Sequence, residues 1–205
     1  MDKNDHEAAH NREHLERAGV LGINLMSSPG AGKTTLLEKL ADVAKFKFAV
    51  IEGDLETERD ANRLRSKGIK AAQIQTGTAC HLDAFMVHKG LHDIDLSEID
   101  VLFVENVGNL VCPASYDVGT HLNIVLVSVP EGSDKIAKYP VMFRQADLIL
   151  ITKTDLLPYF DYDIENEKKE ARKLKPNVDI LEVNINDENS IKAVADWINF
   201  KKRMR

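Results

Sequence analysis

The residues best suited to chemistry lie in one short run, Pro29-Gly30-Ala31-Gly32-Lys33-Thr34-Thr35, preceded by Ser27-Ser28. Glycines at this density let backbone N–H groups turn inward around phosphate oxygens, and a helix starting at the lysine presents its positive end to the same anion. Lys33 would reach the β- and γ-phosphates of a nucleotide, and the Thr34 hydroxyl would hold Mg²⁺. The strict G-x-x-x-x-G-K-[ST] pattern opens on glycine, and Ser27 stands at that position. Such a cation also needs carboxylates at the ends of neighbouring strands. Asp54, closing VIEGD, and Glu105, closing VLFVE, meet that need, which makes Thr34, Asp54 and Glu105 the candidate magnesium set. Gly108 follows Glu105 at a spacing that lets its N–H track the γ-phosphate. Asp60 and Thr57, in ETERD, are secondary candidates for a segment that moves with the nucleotide. Lys33 and Asp54 are the candidate catalytic residues, Lys33 for charge stabilisation and Asp54 for placing the attacking water.

The base is read further along, at Thr152-Lys153-Thr154-Asp155 after the apolar run LILI. An aspartate carboxylate accepts both the N1–H and the N2–H₂ of guanine, a pair that adenine lacks, and a lysine stem can cover the base face. Lys-x-Asp alone carries little weight, since Lys3-Asn4-Asp5 repeats it near the N-terminus. Position at the carboxyl end of a strand selects Asp155, with Thr152 in place of the more usual asparagine. GTP is favoured over ATP.

A second chemistry comes from Cys80-His81 and Cys112-Pro113, which supply two thiolates and an imidazole. Those ligands suit Zn²⁺ or Ni²⁺ and not Mg²⁺. Composition alone would read the cysteines as small buried hydrophobes. Cys112, however, closes the run Glu105-Asn106-Val107-Gly108-Asn109-Leu110-Val111-Cys112, so a change at the γ-phosphate would pull on a thiolate. His6-Glu7-Ala8-Ala9-His10 matches the zinc-protease pattern H-E-x-x-H, but nothing upstream supplies a substrate cleft and the nucleotide motifs would stay unexplained. His6, His10 and His14 share one helix face and read as a solvated stripe, with accessory metal binding as the alternative. His88, His92 and His121 read as ordinary surface or packing residues.

These groups need a scaffold. Short apolar runs at Gly22–Met26, Phe48–Glu52, Ala72–Gln75, Val101–Glu105, Asn123–Val129, Leu148–Thr152 and Asp179–Val183 alternate with helix-period segments. Continuous hydrophobic strands separated by helices predict a three-layer α/β/α fold around a mostly parallel sheet, the P-loop NTPase architecture. The last helix carries Ile191, Val194, Ala195 and Ile198 on one face, with Asn189 or Ser190 as its cap. Residues 1–18 read as a polar helix added to a nucleotide domain over residues 19–205.

The 205 residues hold 27 Lys+Arg against 33 Asp+Glu, a net charge of −6 that disfavours nucleic acid as a partner. Two cysteines make no secreted disulfide framework, the N-terminal stretch is too polar for a signal peptide, and no run reaches the roughly 18–20 apolar residues of a membrane span. A cytoplasmic protein is expected.

Together MSSPGAGKTTLL, VIEGD, TGTACHLDA, VENVGNLVCPASYD, DKIAKYPVMFRQAD and ITKTDLLP resemble, in order over roughly residues 15–160, the hydrogenase nickel-incorporation GTPases of the HypB family. The related urease-maturation GTPases share the phosphate loop and ENVGN but carry Cys-Pro-His together, whereas here Cys-His and Cys-Pro stand apart. The resemblance implies a G domain of the SIMIBI class that dimerises with GTP across its nucleotide face. It also implies a metal site of Cys80, His81 and Cys112 near that interface, with Ni²⁺ passed to the [NiFe]-hydrogenase large-subunit precursor in company with the accessory protein HypA. Slow Mg²⁺-dependent hydrolysis would serve as a switch. The cysteine-rich nickel motif or long histidine tract of some members is not found here, only His6, His10 and His14. An ATP-dependent small-molecule kinase or ligase, and a non-hydrolytic metal-binding scaffold, are the competing readings.

Overall fold

The computed structural model describes residues 3–54 and 58–205, so Thr57 lies outside the described residues. Among these, seven strands form one sheet in the order β3-β2-β4-β1-β5-β6-β7. They are β1 Leu21–Ser27, β2 Phe48–Asp54, β3 Lys70–Gln75, β4 Val101–Glu105, β5 Leu122–Ser128, β6 Leu148–Thr152 and β7 Asp179–Val183. Every neighbouring pair is parallel. The "mostly parallel" expectation thus becomes wholly parallel, and each expected strand exists, β4, β6 and β7 with the expected ends and the others with ends shifted by at most two residues.

Alternation along the strands decides which face each side chain serves. In β1 and β5, Leu21, Ile23, Leu25, Ile124 and Leu126 point into one core. Met26, Val125 and Val127 point into the opposite one. The first core is closed by helix α2 (Lys33–Val43), by Leu64 of α3 (Arg59–Ser66) and by α8 (Glu188–Arg203). The opposite face is covered by α4 (Ala84–Leu91) at one end and by α5 (Lys135–Lys138), α6 (Pro140–Gln145) and α7 (Ile164–Leu174) at the other. The result is a three-layer α/β/α fold.

α8 buries the expected Ile191, Val194, Ala195 and Ile198. Its cap is neither Asn189 nor Ser190: Asp187 accepts from the Asn189 N–H at 3.0 Å. The charged acceptor near the helix's positive end outcompetes the later polar residues. The N-terminal helix α1 (Lys3–Ala18) is polar overall yet buries Ala8, Asn11 and Leu15, and packs along α4. Asn11 Nδ2 donates to the carbonyls of Ala84 and Val118 at 2.7 and 3.2 Å. No helix among the described residues is long and apolar enough to cross a membrane.

Chain order reverses around β1, which is flanked by β4 on one side and β5 on the other. The crevice at the carboxyl end of such a strand is where open parallel sheets bind ligands. β1, β2 and β4 all end there.

Candidate nucleotide and metal site

The loop after β1 needs two left-handed turns, and Gly30 (φ 75°) and Gly32 (φ 103°) supply them. α4, α7 and α8 each have an aspartate cap, at Asp83, Asp163 and Asp187. α2 has no side-chain cap and no acid in its first turn, which leaves its N–H groups facing the crevice. An anion of the size of a phosphate is what that end of the helix lacks.

Lys33 is only 8% exposed, and its Nζ donates to Ser27 Oγ at 3.0 Å. The serine at the first-glycine position therefore gives the buried ammonium an acceptor inside the loop. Burial lowers the Lys33 pKa from its ordinary value, and Glu105 opposes the shift. Thr34 Oγ1 donates to Glu105 Oε1 at 2.6 Å, while Glu105 Oε2 is buried with no hydrogen-bond partner. Across the β2–β4 ladder Glu105 lies directly opposite Glu52, whose Oε2 is likewise buried and unpartnered. Burial pushes Glu105 up to about 7, with Lys33 and then the Thr34 hydroxyl opposing it. Glu52 is pushed up to about 8, first by burial and then by Glu105. Two orphaned carboxylate oxygens beside a threonine hydroxyl suit a hard divalent cation, which would satisfy both and displace their protons.

The surrounding cavity, of about 330 Å³, is lined by Pro29, Gly30, Gly32, Lys33, Thr34, Thr35, by Asp54 and Glu52, and by Glu105 and Gly108. Asp60 and Arg63 line it too. Arg63 donates to Glu38 at 2.7 Å, to Asp60 at 2.9 Å and to Thr35 Oγ1 at 3.2 Å, which ties α3 to the start of α2. Ala31 is buried beneath the loop.

Thr152, Lys153 and Asp155 do not line this cavity. Thr152 Oγ1 donates to the Ala31 carbonyl at 2.8 Å and Lys153 Nζ to the Gly30 carbonyl at 2.7 Å. Lys153 takes a left-handed conformation (φ 59°) that redirects the chain into a 3-10 turn, where Asp155 is exposed. The base-reading segment is thus pinned to the phosphate loop, with its carboxylate free at the surface beside it.

Cys80, His81 and Cys112 converge: one ligand atom from each lies within 4.8 Å of the others. The two sulfurs are 2.9 Å apart, both free, and Cys80 Sγ is 4.0 Å from His81 Nδ1. All three residues are half-buried, which is not the full burial that composition alone would assign to the cysteines. His81 stacks on Tyr116 at 3.9 Å between ring centroids. Hydrogen bonding to Cys80 raises the Cys112 thiol pKa. A tetrahedral ion with sulfur ligands at about 2.3 Å would need the sulfurs about 3.8 Å apart, less than 1 Å beyond their present positions.

Three residues, Asn106, Gly108 and Asn109, bind this cluster to the phosphate side. Asn106 is buried, accepts from the Leu82 N–H at 3.0 Å and donates to Asn24 Oδ1 at 3.2 Å. Asn109 Nδ2 donates to the Cys80 carbonyl at 3.4 Å. Gly108 passes so close to the phosphate loop that a Cβ would sit 2.8 Å from Pro29 Cα and N.

The model for the CobW/HypB/UreG nucleotide-binding domain matches residues 22–182. The chain belongs to the CobW/HypB/UreG family. Within that family it is 50% identical to the hydrogenase/urease maturation factor HypB of Helicobacter hepaticus, over 98% of this chain and 85% of that one. The crystal structure of HypB from Helicobacter pylori in complex with nickel superposes with a TM-score of 0.97 at 47% identity, covering 99% of this chain and 96% of that one. HypB from Archaeoglobus fulgidus superposes at 0.90 with 36% identity, over 98% and 100%. These relatives share the P-loop fold described above.

Sequence reasoning missed Glu52, Asn106 and Arg63. Glu52 had a detectable signal, since it stands two residues before Asp54 on an alternating strand and so faces the same side. Arg63 had none, because its role depends on where α3 docks.

Proposed function

We propose that this chain is a GTP-hydrolysing metallochaperone, acting in the cytoplasm as a homodimer formed on GTP or metal binding. It takes up nickel (or zinc) at Cys80, His81 and Cys112 and hands nickel to the [NiFe]-hydrogenase precursor together with HypA. The observation that carries this reading is the single run from Glu105 to Cys112, which joins the cation-holding carboxylate to a metal-binding thiol and is tied to both ends by Asn106, Gly108 and Asn109. Maturation of urease is a second outlet, favoured by the relatives named for both enzymes.

Hydrolysis follows from the arrangement of side chains. The N–H groups of Gly30 to Thr35 and the Lys33 ammonium surround the phosphates and stabilise charge as the bond between Pγ and the β–γ bridging oxygen breaks. Thr34, Glu105 and Asp54, with Glu52 behind them, would hold Mg²⁺, which neutralises charge on the phosphate oxygens. Asp54, at the cavity rim, orients the attacking water. Its oxygen bonds to Pγ and GDP leaves, and the proton passes to the released phosphate. Asp155 accepts from guanine N1–H and N2–H₂, and Thr152 and Lys153 hold it next to the loop.

The test is nickel affinity measured with a non-hydrolysable GTP analogue and with GDP, both with Mg²⁺. A difference of at least about tenfold, roughly 1.4 kcal/mol of coupling, is expected. Equal affinities would sink the switch. Competition between GTP and ATP separates this reading from an ATP-dependent kinase or ligase: ATP binding as well as GTP would overturn the role of Asp155.

A further inference from the structure

A second group of metal-binding side chains assembles where α1 packs against α4, and it shares no ligand with the nucleotide cavity or the thiol cluster. The stripe expected to be solvated is only partly so. His6 is exposed, but His10 and His14 turn toward α4 and meet His88, which in turn meets His92; the last two were expected to be ordinary surface or packing residues. The centroids of His10 and His88 are 5.1 Å apart, those of His14 and His88 5.7 Å. Spacing explains the gathering: Glu7, His10 and His14 recur at i, i+3 and i+7 on α1, and His88 and His92 at i and i+4 along and just past α4. Burial of Ala8, Asn11 and Leu15 then brings the two helices together.

The atoms converge on Glu7. Its Oε1 lies 3.3 Å from His88 Nδ1 and 3.6 Å from His10 Nδ1. One ligand atom from each of the three lies within 4.8 Å of the others. A tetrahedral ion with nitrogen and oxygen ligands at about 2.0–2.1 Å spaces them about 3.4 Å apart, a value that lies between the two measured edges. The far side of each ring is also engaged. His10 Nε2 sits 3.1 Å from His14 Nε2, and His88 Nε2 sits 3.2 Å from His92 Nε2. A second ring hydrogen-bonded to the other nitrogen is the arrangement that fixes the tautomer and orientation of a metal-ligating histidine. Asn11 Oδ1, 3.0 Å from His88 Nδ1, offers a further oxygen.

We propose that Glu7, His10 and His88 form a second metal site, taking a divalent ion of borderline softness such as zinc or nickel, and that the ion clasps α1 to α4. His14 and His92 orient the two ligating rings. The site is separate in ligand type from the thiolate cluster, and it stands or falls independently of the proposed GTP switch.

The test uses the full chain carrying Cys80→Ser and Cys112→Ser, so that thiolates cannot contribute, titrated with Zn²⁺ against a chromophoric chelator. One equivalent should remain bound. Adding His10→Ala or His88→Ala should each weaken it at least about tenfold, whereas His6→Ala should not. Cobalt in the same protein should give ligand-field bands without thiolate charge transfer. Binding of fluorescent GDP to every variant reports an intact fold, and His10, half-buried at the α1–α4 contact, is not a core residue. No Zn²⁺ held by the Cys80→Ser/Cys112→Ser protein, or Zn²⁺ held equally after His10→Ala and His88→Ala, would overturn the site and leave a plain carboxylate–histidine contact.

Discussion

The phosphate side and the thiol side of this molecule are built by opposite rules. Lys33, Thr34, Glu52 and Glu105 are at most 8% exposed, sit at the ends of strands and the start of a helix, and are aimed before any ligand arrives. Cys80, His81 and Cys112 are half-buried, lie on loops and a 3-10 turn, and are held by the contact between the two thiols, by a ring stack on Tyr116 and by hydrogen bonding to Asn109. Stabilising developing charge requires groups that need not reorganise, so rigid elements must carry them. Releasing a cargo ion requires ligands whose spacing can change at low cost, and loops allow that.

Removing Lys33 breaks the comparison at its rigid end. Lys33→Ala should lower the GTP hydrolysis rate at saturating nucleotide at least about 100-fold, because one preorganised charge in a buried site is worth that much. Phosphate release is the measurement, and a rate within a few-fold of wild type would mean that the loop binds without catalysing. Cys112→Ser acts at the adaptable end. It exchanges a soft thiolate for a hydroxyl that does not ionise at neutral pH, and nickel affinity should fall at least about 100-fold by competition titration. Unchanged affinity would move the cargo site elsewhere.

The same division governs what could be read without coordinates. The sheet was legible because its strands are continuous apolar runs, and the phosphate loop because glycine spacing is a backbone requirement. Asp54 and Glu105 are suggested by their place at strand ends, whereas Glu52, opposite Glu105, needs the strand's alternation as well. The meeting of His10 with His88 was not legible. It depends on the docking of two helices separated by more than seventy residues, driven by Ala8, Asn11 and Leu15, and no local pattern encodes that contact.

Gly108 sharpens the comparison at its hinge. A methyl group there meets the Pro29 backbone at 2.8 Å, and backbone cannot give way as a flexible side chain can. Gly108→Ala should therefore weaken nucleotide binding about tenfold by displacing the loop, measured by fluorescent GDP titration. Nickel affinity in the absence of nucleotide should change by less than about twofold, since the thiols lie on the far side of the contact. Equal losses in both would mean that the two ends form one rigid unit.

The smallest effect tests the buried acids as a source of stored cost. Glu52 and Glu105 hold their protons up to about 8 and about 7, against an ordinary 4.5. The folded state thus binds more protons than the unfolded chain between about pH 4.5 and 8, and stability must fall as pH rises through that window. Below it both states are protonated and the difference vanishes. Glu52→Gln removes the group with the larger shift, and with it the repulsion that Glu105 exerts on Glu52. The nucleotide-free variant should lose less stability than wild type between pH 5 and pH 8, by about 1 kcal/mol or somewhat more in denaturant melts. Mg²⁺ with GDP should flatten the wild-type profile in the same way, because a cation bound to the orphaned oxygens replaces the protons, and should flatten the Glu52→Gln profile less. Parallel pH profiles for the two proteins would show that the pair is relaxed without a cation, and the phosphate side would then be less preorganised than its burial implies.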